Sequence, residues 1–376
     1  MMNGTTCSIL NDWLPEIDRS KLDDLHWKLN KLFSHNKPFN SVIGEREIGK
    51  TTELITFLYN KLRQKGTTFA YIKKITADIT ATTISDLETG LNKFLKEPVQ
   101  FSYLKGSLKD GLIDVHIKYK DRSIWFFRVM ALGLPLQRLK GQVLRNIAFM
   151  WSDEFVVNVR LKEKYLFGEW FKFEELFTTL NRESANGIRA IFSGNPYSVY
   201  NPYFAAWGVK FKEIYPGNFI VGEKYAIDIP LTSPELKALI LSKNPLYEFD
   251  DSYKRYAFDG RSVNDEQIKI QEKEPKNFRL AFVFYIENQK IGVYFNNTYF
   301  DITQDAFWIC ILAKDYESKD RNIYTFNFNS LVEGTILLSH EEKSRFNYLK
   351  KCFRLRRVSF KSVEESYLFE QIFQCI

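Results

Sequence analysis

The chain has little cysteine, no long apolar run and no charge bias strong enough to name a partner. Its four cysteines, Cys7, Cys310, Cys352 and Cys375, are scattered over 376 residues. None sit at metal-ligand spacing, and so sparse a set excludes a disulfide framework. No apolar stretch approaches the length of a membrane span. The opening MMNGTTCSILNDWLPEIDRS is acidic and polar where a signal peptide is basic and apolar, so the chain reads as cytosolic. There is no internal repeat and no low-complexity tract. The net charge of +7 permits a polyanionic partner without requiring one. What the chain has in excess is aromatic residues, at 16%, which stabilise cores and populate interfaces.

The length predicts two domains. Leu22, Leu25, Leu29 and Leu32 recur at helical spacing and predict a helix over 20–33, packed against the sheet that follows. FNSVIGE reads as a short buried strand ending at Gly44. TTELITFLYNKLRQKG reads as a helix with Leu54, Ile55, Leu58 and Leu62 on one face and Gly66 as its stop. TTFAYIKKI is the next strand. Strand, glycine loop, helix and strand make a βαβ unit, which implies a parallel sheet and an α/β fold. A second apolar strand, NIAFMW, precedes Ser152, Asp153 and Glu154. The helix GEWFKFEELFTTLNRES and the strand GIRAIFSGN follow. This defines a first domain over 1–225. Residues 226–276 mix proline, charge and short apolar stretches and read as a linker with some helix. The last domain, 277–376, reads as strands in FRLAFVFYIENQKIGVYFNNTYFDIT, with ENQK as a hairpin turn, then AFWICILAK and NIYTFNFNS. A helical end over 341–376 closes it.

Residues 44–51, GEREIGKT, fit the phosphate-loop pattern G-x-x-x-x-G-K-[ST]. Gly44, Glu45, Arg46, Glu47, Ile48 and Gly49 would curl their backbone N–H groups around phosphate oxygens, with Thr52 continuing the cradle. Lys50 would neutralise the terminal phosphates, and the Thr51 hydroxyl would reach Mg²⁺. The following helix points its positive end at the anion. The motif therefore calls for ATP and Mg²⁺. An apolar strand ending in acids supplies the other half. Asp153 would hold Mg²⁺ and Glu154 would orient the attacking water. Arg46 has two readings: a guanidinium reaching the γ-phosphate within its own subunit, or a surface partner of Glu45 or Glu47.

The blocks VIGEREIGKT, FAYIKK, DEF and SGNPYSVYNPYF resemble the DNA encapsidation proteins of small short-tailed phages. These are ATPases that pump a genome into a preformed capsid. An arginine at the place of Arg46 also resembles the large terminases of tailed phages. The resemblance implies an ASCE-type P-loop ATPase domain followed by a smaller ribonuclease-H-like α+β domain. It implies a ring of subunits, with five expected, on the capsid portal vertex in the infected host's cytoplasm, threaded by double-stranded DNA. Arg182 matches the position of an arginine finger supplied to a neighbour, with Arg189 in reserve. Ser193, Gly194 and Asn195 match the segment that couples γ-phosphate state to motion; a plain turn is the other reading of that segment. Arg138, Lys140 and Arg145 stand where the family has its pore loop, and they read equally well as a solvated basic loop. The basic run Lys350 to Lys361 could meet DNA or a structural RNA, or be the wet face of a helix. Two-metal cleavage needs clustered carboxylates, and Asp301 and Asp305 are too few, so no nuclease activity is expected. A generic viral ATPase or helicase, and a nuclease-competent terminase, are the alternatives.

Overall fold

In the computed structural model the chain divides into two compact units, 1–264 and 265–376. It describes residues 10–373 apart from 141–146, 159–162, 244–268 and interruptions of five residues or fewer.

The first unit is built on a nine-stranded sheet. Its strands are β1 (Phe39–Ile43), β2 (Thr68–Lys73), β3 (Gln100–Ser102), β4 (Leu112–Tyr119), β5 (Arg122–Ala131), β6 (Ile147–Asp153), β7 (Arg189–Gly194), β8 (Phe219–Val221) and β9 (Tyr225–Asp228). They lie in the order β3-β4-β5-β2-β6-β7-β1-β9-β8. From β5 to β9 every neighbour pair is parallel; only β3, β4 and β8 add antiparallel edges. Every residue of β2 is buried, and β6 is nearly so, because helices cover both faces of a parallel sheet. The phosphate-loop strand β1 and the next strand in sequence, β2, are not neighbours. β6 and β7 lie between them, so the ends of β6, β7 and β1 converge on one edge.

Helix α1 (Asn30–Ser34) precedes β1, and α2 (Lys50–Lys65) leaves the loop after it. Leu54, Ile55, Leu58 and Leu62 of α2 are buried as their spacing predicts, and Gly66 ends the helix in the left-handed conformation at φ 64°. Then come α3 (Ala81–Asn92), α4 (Leu136–Lys140), α5 (Glu169–Arg182), α6 (Pro202–Trp207) and α7 (Pro234–Lys243). Asn201 caps α6 by accepting from the Phe204 amide at 2.8 Å, a bond worth about 1 kcal/mol.

Three expectations need correction. The helix predicted over 20–33 is an irregular strap, helical only in a 3-10 turn over Arg19–Lys21 and in α1. The carboxylate of Asp23 accepts from the amides of Leu25 and His26, which bends the chain out of helix. Leu22 and Leu25 stay exposed while Leu29 and Leu32 are buried. The stretch read as a linker from 226 begins as β9, paired with β1, and continues as α7, whose Leu236 and Ile240 enter the core of the first unit. The rest of it, 244–268, lies outside the described residues. In QRLKGQVLR, residues through 140 form α4 rather than loop.

The second unit is a seven-stranded sheet. It comprises β10 (Lys269–Ile270), β11 (Phe278–Ile286), β12 (Gln289–Asn296), β13 (Phe307–Ile311), β14 (Ile323–Thr325), β15 (Thr335–Leu337) and β16 (Val358–Phe360), in the order β10-β16-β13-β12-β11-β14-β15. Strands β11, β12 and β13 form an antiparallel meander, and β14 and β15 run parallel to β11. This is the ribonuclease-H-like order, with β16 and β10 added at one edge. Of the hairpin turn predicted at ENQK, Gln289 and Lys290 already belong to β12, and residues 287 and 288 lie outside the described ones. The helical end is corrected too. Helix α8 (Asn347–Arg354) buries Leu349 and Cys352, but Val358, Ser359 and Phe360 form a strand parallel to β13. The basic run therefore spans a helix and a strand, and is not one wet helical face. Asp305 is paired with Lys269 at 2.7 Å, and Asp301 lies outside the described residues.

Candidate phosphate-binding site

The loop after β1 closes tightly around its two glycines. A Cβ on Gly44 would stand 2.4 Å from Ile48 Cδ1 and 3.1 Å from Pro230 Cγ. Gly49 and Glu47 take left-handed backbone, at φ 86° and 63°, which turns the loop back into the start of α2. The loop and the carboxyl ends of β6 and β7 line one cavity of about 1000 Å³, which includes Arg46, Lys50, Thr51, Asp153, Glu154 and Asn195. The two halves predicted from distant parts of the chain thus share one site.

Lys50 is the buried cation of that site. Its ammonium donates to the carbonyls of Gly44 and Glu45 at 2.7 and 2.6 Å and to Asn195 Oδ1 at 3.2 Å. Burial lowers its pKa to about 7; Asp153 and Glu45 work against that shift, and Arg46 adds to it. Asn195, at the end of β7, therefore meets the loop lysine directly.

Asp153 ends β6 with both carboxylate oxygens engaged. Tyr71 donates to Oδ2 at 2.9 Å and Ser193 to Oδ1 at 2.6 Å. Ser193 in turn accepts from the Trp151 indole at 2.7 Å. Glu154 follows in left-handed backbone at φ 56°, and its side chain is 69% exposed. Lys73, at the end of β2, donates to Glu154 Oε2 at 3.2 Å and lies 3.7 Å from Asp153 Oδ2. Burial disfavours the Lys73 charge, but Tyr71, Asp153 and Glu154 outweigh it and hold its pKa well above the ordinary range. A Cβ on Gly194 would stand 3.1 Å from the Phe155 ring and 3.2 Å from Val156 Cγ2, a tight fit that favours glycine there.

The Arg46 guanidinium donates to the Tyr197 hydroxyl at 2.7 Å, a partner not expected from sequence. Tyr197 belongs to the SGNPY segment after β7. The other arginines lie elsewhere. Arg182 is exposed at the carboxyl end of α5, and Arg189 begins β7, where it bonds Asn36 and lies over the Phe33 ring. Arg189 stands at the amino end of β7, the length of that six-residue strand, or roughly 17 Å, from its carboxyl end at the cavity, and the Asn181 side chain next to Arg182 accepts from the Ile188 amide at 2.8 Å, which sets the end of α5 at that same amino end. Arg138 is exposed on α4 and donates to the Asp110 carbonyl at 3.3 Å. Lys140 closes α4, and Arg145 lies outside the described residues.

Sequence reasoning missed Lys73, Tyr71 and Tyr197. Lys73 stood in plain view in FAYIKK. Its role emerges only because Ile72 pairs with Ser152 across β2 and β6, which sets the two strand ends side by side.

A family model of podovirus DNA encapsidation proteins (Gp16) matches residues 21–369. The DNA packaging protein of Bacillus phage B103 is 24% identical over 325 residues, which cover 85% of this chain and 91% of that protein. The DNA packaging protein of Bacillus phage phi29 is 22% identical over 342 residues, covering 89% and 90%. Among solved structures, the Phi-28 gp11 DNA packaging motor aligns with a TM-score of 0.62 at 14% identity, covering 93% of this chain and 97% of that one. The bacteriophage Phi-29 viral genome packaging motor assembly aligns with a TM-score of 0.58 at 19% identity, covering 93% and 99%. Both alignments run through the two units and show a shared fold.

Proposed function

Because the chain belongs to the podovirus DNA encapsidation protein family, we propose that it is the ATP-hydrolysing subunit of a motor that drives double-stranded viral DNA into a preformed capsid. The observation that carries this reading is the convergence of the glycine loop, Asp153, Glu154 and Asn195 on one cavity. The donor set fits a magnesium nucleotide. Gly44 lets the loop close against Ile48 and Pro230, where a side chain would collide, Lys50 is the cation at that loop, and Thr51 and Asp153 offer oxygens suited to a hard cation. Bound there, Mg²⁺ would offset negative charge that builds on the phosphates.

The chain's own residues do the rest. The amides of 44–51 and the start of α2 hold the phosphates, and Lys50 turns its ammonium toward them. Tyr71 and Ser193 fix the carboxylate of Asp153. Glu154, extended on left-handed backbone, orients water for attack on the terminal phosphorus, and the Lys73 contact sets where that carboxylate rests. Asn195, touching Lys50, carries the phosphate state into the strand β7. Arg46 is held by Tyr197 on the same segment and can meet the terminal phosphate in its own subunit.

Arg182 cannot serve its own site from the amino end of β7. It acts, in this reading, on the site of a neighbour in a ring, five subunits being the number expected, where a guanidinium is worth about 10³–10⁵ in rate. Closure of successive pairs would displace the duplex, gripped through its phosphates by Arg138, Lys140 and Arg145 without base reading. The ring would sit on the portal vertex in the infected cell, with a structural RNA as a further partner. No described helix is long and apolar enough to cross a membrane. The test is the ATPase rate with procapsid and linear duplex present. The proposal expects strong stimulation by that combination and little by single strands; equal stimulation by single strands would favour a helicase.

A further inference from the structure

The acid pair at 153 and 154 is fastened twice, and the second fastening touches no phosphate. Tyr71 and Ser193 hold the Asp153 carboxylate. The other holder is Tyr203 of α6, from the NPYF block, buried together with Glu169 at the start of α5. The Tyr203 ring packs among Phe155, Trp170, Phe173 and Phe192, with ring centroids 5.1 to 5.8 Å away. Phe155 directly follows Glu154, and Phe192 directly precedes Ser193, the donor to Asp153. The Tyr203 hydroxyl donates to Glu169 Oε1 at 2.9 Å, and the Leu166 amide donates to Oε2 at 2.7 Å. The Ser152 side chain is a further partner of that hydroxyl. Tyr203 thus meets the chain on both sides of the acid pair, at Ser152 before it and at Phe155 after it.

A carboxyl group and a hydroxyl inside an aromatic cage are costly to bury, and packing alone asks for neither. Burial pushes the Glu169 pKa up, while Lys74, the Leu166 amide and the Tyr203 hydroxyl pull against it. What the pair holds is the end of β6. Glu154 takes left-handed backbone at φ 56°, which a residue with a side chain keeps only where its surroundings over-determine it. Its side chain is 69% exposed, so the direction of the carboxylate is set mainly by the backbone beneath it. We propose that Tyr203 and Glu169 are positioning residues for hydrolysis: anchored by Glu169, Tyr203 clamps residues 152 and 155 and so holds the left-handed turn that aims the Glu154 carboxylate. Ser152, a polar break in an otherwise apolar strand, is the clamp's grip on β6. This rests on the reading of Glu154 as the group that orients the attacking water, and adds the device that keeps it in place.

The test measures single-turnover phosphate release and the affinity for ATPγS with Mg²⁺, using the full chain with procapsid and linear duplex. Tyr203→Phe and Ser152→Ala are each made alone and combined with Glu154→Gln. Tyr203→Phe removes one oxygen and keeps the ring in its cage. Ser152→Ala leaves the Tyr203–Glu169 bond intact, so one misfolded variant does not end the test. Misplacing a positioned group costs up to about 100-fold, so hydrolysis should slow roughly 10- to 100-fold in Tyr203→Phe and at least about 3-fold in Ser152→Ala. ATPγS affinity should stay within about 2-fold, because the phosphate loop is untouched. In the Glu154→Gln background neither substitution should slow the residual rate further, since no carboxylate is left to aim. A loss that persists in that background, or that comes with an equal loss of affinity, would mean general loosening. Unchanged hydrolysis in both folded single variants would mean that nothing is held. Each of these results overturns the inference. If Glu154→Gln is slow while Tyr203→Phe and Ser152→Ala are not, the inference alone falls. If Glu154→Gln hydrolyses like the wild type, the reading of Glu154 falls first and takes the inference with it.

Discussion

Lys50 makes the stability of the first unit depend on pH in a direction that can be worked out. Its ammonium is buried beneath the loop, and its pKa in the folded chain falls to about 7. In the unfolded chain it returns to about 10.5. Between those values the unfolded state holds the proton and the folded state does not. Stability therefore rises with pH across that window and is lowest below it. Each pH unit is worth about 1.4 kcal/mol per proton, so going from pH 7.5 to 9 should add about 2 kcal/mol. Lys50→Met removes the titrating group. Urea unfolding followed by tryptophan fluorescence is the assay. Trp308 alone of the seven tryptophans lies in the second unit, so the signal reports the first. The wild type should gain those 2 kcal/mol relative to Lys50→Met over that interval, and the variant should be the more stable of the two at pH 7. A wild-type-minus-variant difference that stays flat from pH 7 to 9.5 would refute the claim that this lysine is desolvated.

Other outcomes follow from the same geometry. Glu154→Gln should keep nucleotide affinity within about 3-fold and lose hydrolysis by 100-fold or more, on the order of one lost catalytic group, measured by phosphate release. Tyr71→Phe removes one of the donors to Asp153 and should raise the Mg²⁺ concentration needed for half-maximal hydrolysis several-fold, while the fold, read by circular dichroism, is kept. Arg182→Ala mixed with Lys50→Ala should hydrolyse faster than either alone, because one contributes an intact loop and the other an intact arginine; a mixture no better than its parts would remove Arg182 from the neighbour's site. Gly194→Ala should cost about 1–3 kcal/mol, as its Cβ would crowd the Phe155 ring at 3.1 Å, seen as a lower melting temperature.

The local elements were legible where one side-chain period decided them. The helix from 50 to 65, its stop at Gly66, and the strands before Gly44 and Glu154 all carry strong, local signals. The leucines at 22, 25, 29 and 32 show where that logic fails: the period is helical, but the Asp23 side chain competes for the backbone and the strap is drawn onto the loop. Residues 358–360 fail differently, because a strand paired with β13 is a long-range fact that a run of basic residues hides. In the same way β9 looked like a linker, since its partner β1 lies far back in the chain.

Within the site, the glycine loop and the paired acids were visible as motifs because their chemistry needs fixed residue types. Lys73 and Tyr71 were not, because nothing in one strand announces which strand lies beside it. Tyr197 needed the fold as well, since the Arg46 contact joins segments 151 residues apart.

The most direct measurement is the binding of ATPγS with and without Mg²⁺, in the wild type and in Asp153→Asn. A nucleotide held between the loop of 44–51 and the strand end at 153 should bind at least about 10-fold tighter with Mg²⁺, and Asp153→Asn should erase most of that gain. Affinity indifferent to Mg²⁺ in the wild type, or a gain that survives intact in Asp153→Asn, would contradict it.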